Sequence, residues 1–265
     1  MPPGYNATCM LRKFRILLLL LVLATVALGA WRAGSRLTAW EHTVHVALYP
    51  IAADDSPATA RYVAQLDADS FAEIGQWLEG EIRGYGKTVL QPLTIRVAPP
   101  LAATPPLPPP RPSALDAILW SLKLRWWAAR HDDIAGPKPQ VRLFVLYHDP
   151  ERLAALPHST GLDKGQLGLI HAFASRRQHR QNAVVITHEL LHVFGASDKY
   201  DLASGQPIHP QGYAEPGRSP LLPQELAEIM GGRIPLAVDR SDIPPSLEAT
   251  VIGPQTASEI GLTDR

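Results

Sequence analysis

An α+β domain behind one N-terminal transmembrane helix is the fold the sequence predicts. Three observations predict it. An apolar run lies close to the amino terminus. Behind it, segments of period two alternate with segments of period 3.6. The composition, 46% apolar and 19% charged, is that of a globular chain rather than a disordered one. Twenty-five Lys and Arg balance 25 Asp and Glu, so the basic excess expected of a nucleic-acid binder is missing. Cys9 is the only cysteine, which excludes an internal disulfide framework and a multi-thiolate metal site. Proline, 26 of 265 residues, is about twice its usual share of roughly 5%, which points to long, shaped loops.

The apolar run spans Ile16 to Trp31 and follows Arg12, Lys13 and Arg15. As a helix it rises about 24 Å, a little less than a ~30 Å hydrocarbon core. Phe14 adds length, Trp31 suits an interface, and Arg15 and Arg32 can snorkel. Five consecutive leucines, Leu17 to Leu21, leave no polar face and argue against a buried core helix. A cleaved signal peptide is the nearer alternative, but Ala27-Leu28-Gly29 is a poor small-x-small site. The organisation expected is a cytoplasmic basic region over 1–15, a signal anchor over 16–33, a tether over 34–43 and a domain over 44–265. The basic flank places that domain outside the cytoplasm, in the periplasm if the cell is Gram-negative. The chain is thus expected to be a single-pass membrane protein.

Within the domain, His42 to Ile51 reads as a strand from its Val44, Val46 and Leu48 alternation. Ser70 and Glu73 have capping-box spacing, and Phe71, Ile74, Leu78 and Ile82 then recur at helical spacing until Gly84 and Gly86. Leu93 to Val97 is a second strand. Pro99 to Pro112 holds eight prolines in fourteen residues and reads as a spacer or rim loop in preference to a polyproline ligand. Ser113 and Asp116 form another capping box, opening a helix through Leu115, Ile118, Leu119, Leu122 and Trp126. Trp120, Trp126 and Trp127 are assigned to core packing or to a membrane-proximal surface. Gln140 to His148 is the strongest strand, and Gly165 to Phe173 a shorter one.

The chemistry is concentrated in Ala183 to Asp201, which contains His188-Glu189-Leu190-Leu191-His192. Helical positions four apart stack on one face, so both imidazoles can bind one metal ion, with Glu189 beside them to hold a water. Gly195 stands where a left-handed helix cap needs glycine, and Asp198 returns an oxygen ligand after that bend. Two neutral imidazoles and a carboxylate leave the fourth position of a zinc ion open, as in catalytic sites. Glu228 is a rival third ligand, on a helix that Leu222 to Met230 would form. Asp201 reads as a second-layer residue or turn-former, and His171, His179 and His209 as surface or loop histidines. Tyr200 and Tyr213 are candidate oxyanion donors. Ser175 to Arg180 reads as a solvated connector ahead of a substrate-carboxylate clamp.

The segment HELLHVFGASD, His188 to Asp198, resembles the motif of the metzincin zinc peptidases in the snapalysin-like variant where aspartate replaces the third histidine. There too a tyrosine follows the aspartate by two, as Tyr200 does. The resemblance implies a zincin domain with a mixed twisted sheet and an active-site helix. It implies Zn2+ on His188, His192 and Asp198, with Glu189 as general base. The implied activity is that of a membrane-anchored zinc metalloendopeptidase, a hydrolase that splits peptide bonds by a Glu-activated, zinc-bound water. It also implies a methionine turn beneath the metal. The counterpart is Glu228-Ile229-Met230-Gly231-Gly232, whose methionine lies 32 residues after Asp198. The family further implies an edge strand to which an extended peptide or protein substrate adds, a place occupied by Gly165 to Phe173 with its glycines at 165 and 168. Two other readings remain: a membrane-tethered binding protein with a structural or vestigial zinc site, and a zinc hydrolase of a non-peptide amide.

Overall fold

The computed structural model describes residues 4–110, 113–162 and 166–263. Helix α1 runs from Gly4 to Leu37. Its large apolar side chains from Phe14 to Leu23, and Leu28, are exposed, and Arg12–Leu37 is long and apolar enough to cross a membrane. The segment expected to be a tether is helical as far as Leu37 and then enters the domain. Leu37 and Trp40 are buried in the main core, the Trp40 indole N–H donates to the Ile260 carbonyl at 2.7 Å, and its ring meets Phe194 edge-on at 5.0 Å.

The domain mixes helices with a five-stranded, mostly parallel sheet. Strand β1 is Val44–Ala52; after it come helix α2 (Pro57–Val63), helix α3 (Ala72–Gly84) and strand β2 (Leu93–Val97). Helix α4 (Ala114–Arg130), strands β3 (Val141–His148), β4 (Thr160–Leu162) and β5 (Leu167–Phe173), and helix α5 (His179–Val193) follow. The sheet order is β2-β1-β3-β5-β4, and only β4 runs antiparallel. A looped C-terminal part carries the short pairs β6 (Ala227–Glu228) with β9 (Thr250–Val251) and β7 (Ile234–Ala237) with β8 (Arg240–Asp242), then helix α6 (Pro254–Glu259).

Central parallel strands are covered on both faces, and so residues 46–52 of β1 and 143–147 of β3 form apolar runs. In β1, Val46 and Leu48 join the core shared with α3, α5 and α6, while Ala47, Tyr49 and Ile51 join a second core under α4. Ring packing fills the α4 side: Tyr49 stacks on Phe144 at 4.8 Å, and Trp127 meets Phe144 edge-on at 5.0 Å.

Local signals sort cleanly by mechanism. The Ser113/Asp116 capping box forms as predicted. The Ser70/Glu73 box does not, because Ser70 is used three residues earlier. Its N–H and hydroxyl donate to the Asp67 carboxylate while its oxygen accepts the Asp67 N–H. That reciprocal pair opens a 3-10 turn over Asp69–Phe71, and α3 begins only at Ala72. Helix α2 was missed, although Ser56 as N-cap with Pro57 at the first position signals a start. The Pro-rich segment is a rim loop rather than a free spacer. Leu101 pairs beside β1, Pro105 is buried, and the Trp120 indole donates to Pro106 O at 2.8 Å.

Strand β5 is not the sheet edge. Its outer side pairs with β4 through Thr160↔Leu169, Gly161↔Gly168 and Leu162↔Leu167. A Cβ at Gly168 would strike Leu143 at 2.7 Å, so that glycine serves the contact with β3. Gly165 lies outside the described residues. The segment Leu222 to Met230 forms no helix; it contains β6 and a turn.

Candidate metal centre

The chain reaches His188 on a helix fastened at both ends. At the start, the Asn182 side chain bridges to β5, accepting the Phe173 N–H at 3.1 Å and donating to its carbonyl at 2.8 Å. At the end, Gly195 takes φ +102° and closes a Schellman turn, with Gly195 N–H donating to His192 O and Ala196 N–H to Leu191 O. Only glycine adopts that backbone without strain. The turn brings Ala196 O within 2.8 Å of His192 Nδ1.

The second imidazole is held from below. His188 Nδ1 lies 2.9 Å from the carbonyl of Ile229. A carbonyl only accepts, so in both rings Nδ1 carries the proton, and the neutral imidazole then presents the Nε2 lone pair. The two rings stand nearly perpendicular, with centroids 4.8 Å apart. Asp198 Oδ1 sits 3.1 Å from His188 Nε2 and 3.1 Å from His192 Nε2. Two Nε2 atoms and a carboxylate oxygen therefore converge, an arrangement that needs a cation between them, a proton on an imidazole or a metal ion. Ligand bonds of ~2.0–2.1 Å in a tetrahedron put donors about 3.3 Å apart, close to the spacing found.

Glu189 also lies within 4.8 Å of both imidazole donors and could complete a metal-holding group with them. Asp198 is nearer, which leaves Glu189 flanking the site. Glu189 is 6% exposed, and its Oε2 has no hydrogen-bond partner. Burial pushes its carboxyl pKa up, partly offset by the two histidines and by the Gly161 backbone N–H. Burial raises the Asp198 pKa, but hydrogen bonding and charge from the same imidazoles outweigh it and hold the carboxyl well below its ordinary range. Burial resists protonation of His192, but Asp198 and Glu189 raise its pKa on balance. The Asp198 and His192 shifts report the pairing of that carboxylate with the imidazoles, and the Glu189 shift reports burial.

Ser197 and Lys199 anchor Asp198 from either side. Lys199, 4% exposed, donates through Nζ to Glu259 Oε2 at 2.7 Å and to Ser197 O at 2.7 Å. Ser197 N–H and Oγ both donate to Glu259 at 2.9 Å. Helix α6 thus grips both neighbours of Asp198. Glu228 is not a ligand. It is fully buried and accepts from Gly231 N–H at 2.8 Å, Gly253 N–H at 3.1 Å and Thr256 Oγ1 at 2.6 Å. It braces the tight turn in which Met230 lies fully buried, and so sets the Ile229 carbonyl that orients His188.

Beside the donors opens a cavity of about 340 Å3, walled by Val184, Val185, Leu156, Leu202 and Ile243. Tyr200 lines it; burial and then the charges of Asp198 and Glu189 push its pKa to about 12. Tyr213 packs on His209 instead and takes no part in the cavity. Asp201 is a turn-former, accepting from Ala203 N–H, Ser204 N–H and Ser204 Oγ. Arg176 to Gln178 form a 3-10 turn leading into α5, with Arg176 on Gln65 and Arg180 on Glu248, as a connector would. No protein-family model matches the chain, and no curated protein matches it.

Two residues of this region escaped the sequence reading. Gly161 presses on α5: a Cβ there would sit 2.6 Å from Glu189 O and 2.6 Å from His192 Cβ. A helix backbone cannot rotate aside, so Gly161→Ala should destabilise the domain by about 2–3 kcal/mol and impair the site. Urea unfolding of the variant checks this, and wild-type stability would refute the contact. His171 was assigned to the surface, yet it is 4% exposed in β5 and lines the cavity, its Nδ1 2.8 Å from His148 Nε2. No local signal distinguishes it; only the strand register turns it inward.

Burial, then the His148 charge, depresses the His171 pKa from 6.5 to about 4. The unfolded chain therefore binds the proton more readily between these values, and stability falls as pH drops from 6.5 towards 4. The depression is worth about 3 kcal/mol. Unfolding free energies at pH 7 and 4.5 should show a smaller acid loss in His171→Asn than in the wild type, and equal losses would count against a neutral buried imidazole.

Proposed function

We propose that this chain is a membrane-anchored, zinc-dependent metallopeptidase of the metzincin type, with its domain outside the cytoplasm. One observation carries the reading: two Nε2 lone pairs and Asp198 Oδ1 meet at 3.1 Å, each imidazole locked by a backbone carbonyl on its other nitrogen. Imidazole and carboxylate donors suit zinc, and three protein ligands leave a position free. Zinc bound there supplies a Lewis acid that polarises a carbonyl and lowers the pKa of a water towards ~7. The buried Met230 turn under His188 and the antiparallel edge strand β4 beside α5 support the family reading.

The chain's own residues divide the remaining work. Glu189 Oε2, buried and unpartnered, accepts a proton from the attacking water and returns it to the leaving nitrogen. Its raised pKa matches that task. Tyr200 stays protonated at neutral pH and can donate to the developing oxyanion. A substrate in extended form adds to β4, and the apolar cavity takes one side chain.

The test is metal content and cleavage. Full-length protein purified in mild detergent should carry about one zinc per chain and cleave a denatured protein. Chelation should silence it, zinc should restore it, and Asp198→Ala should release the metal. A folded chain that holds no metal and takes none up would sink the proposal. Unfolding on chelation, without prior cleavage, would instead favour a structural zinc site.

A further inference from the structure

Helix α4 is apolar on two opposite faces, and the domain uses only one. Trp120, Leu124 and Ala128 pack inward against the sheet. On the far side Leu115, Ile118, Leu119, Leu122 and Trp126 are 63%, 58%, 47%, 54% and 62% exposed. Their spacing of three, four, seven and eleven from the first draws them into one continuous stripe along the helix. Single exposed apolar residues need no explanation, but five aligned ones mark a surface that meets something apolar.

The margins of the stripe say what that is. By helical position, Lys123 and Arg130 flank one side and Arg125 the other, and the Arg130 guanidinium lies 4.4 Å over the Trp126 ring. The only acid of the helix, Asp116, is engaged by the Ser113 cap. An apolar stripe between cationic margins, with a tryptophan at the boundary, fits the headgroup layer of an anionic bilayer. A second copy laid on this face would bring the same cations together.

Placement agrees. Only Thr38 to Thr43 separate the end of α1 from β1, and Trp40 within them is pinned to Ile260, so the domain has almost no freedom to leave a bilayer that α1 spans. Helix α4 returns from the end of β2 to the start of β3, which is level with the start of β1. Its C-terminal turn, with Trp126 and Arg130, therefore lies at the end of the sheet where α1 joins.

We propose that the outer face of α4 is a membrane-docking surface that rests in the headgroup layer of an anionic bilayer and fixes the tilt of the domain upon it. The proposal rests on α1 as a span, and the experiment separates the two. Full-length protein in a Cys9→Ser background, with Leu119→Cys or Val238→Cys carrying a fluorophore, is reconstituted in phosphatidylcholine–phosphatidylserine vesicles bearing a quencher at headgroup depth. Docking predicts that the label at 119 is quenched about threefold more than the label at 238, and less in vesicles of phosphatidylcholine alone. Equal quenching in protein that resists an alkaline wash overturns the docking and leaves the span intact. A label at 119 shielded from aqueous iodide but untouched by the lipid quencher overturns it in favour of a protein partner. Release by the wash refutes the span, while quenching measured before the wash still decides the fate of α4.

Discussion

Glu189→Gln should abolish peptide hydrolysis, by about 10²–10⁴-fold, while leaving the bound metal and the fold in place. The amide matches the carboxylate in shape, so the cavity and the helix are undisturbed. What disappears is the ability of Oε2, buried and without a partner, to take up a proton. The same variant separates two ways of arranging the donors. Glu189 stands within 4.8 Å of both imidazole nitrogens, and a role as ligand would make the substitution cost metal. With Asp198 at 3.1 Å from each Nε2, the expected outcome is full metal content and no turnover. Elemental analysis and a cleavage assay on one preparation check both halves. An active variant rejects Glu189 as general base, and a metal-free one rejects Asp198 as third ligand.

The largest effect on stability is expected from Glu228→Ala. Its carboxylate satisfies two backbone N–H groups and a threonine hydroxyl, all buried, at 2.6 to 3.1 Å. Truncation leaves Gly231, Gly253 and Thr256 without an acceptor where water does not reach. Each stranded donor costs about 1–3 kcal/mol, so a loss of about 3–5 kcal/mol is expected after partial relaxation. Because Glu228 also braces the turn whose Ile229 carbonyl orients His188, metal affinity should fall in whatever protein remains folded. Urea denaturation with and without zinc reads both effects. A loss below about 1 kcal/mol would mean that the turn stands without its brace.

The legible parts of this chain are those whose cause is local. The strand Leu93 to Val97, the Ser113/Asp116 cap and the glycine after α5 each follow from a few neighbouring residues, and each appears where expected. The spacing of His188, His192 and Asp198 likewise foretold three donors at one point. What failed was non-local. The helix through Leu115, Ile118 and Leu119 forms as expected, but which of its faces meets the sheet is set by the fold, and theirs is the outer one. His171 is inward because of its register with β3, which its own neighbours do not encode. Glu228 is a rival ligand to Asp198 on sequence alone because its partners are distant: they come from Gly231 and from a segment more than twenty residues later. Gly161 is invisible without knowing which strand runs against α5.

The segment 247–262 reaches every part of the centre: Glu259 clamps Ser197 and Lys199, Thr256 and Gly253 lock Glu228, and Ile260 receives the Trp40 indole. Those residues leave the ribosome 55 to 74 positions after the two histidines. Until they emerge, the loop bearing Asp198 lacks the clamp that Glu259 puts on both its neighbours, and a growing chain carries the motif without its full geometry. Assembly of the loop around Asp198 is thereby postponed until the bulk of the domain has been synthesised.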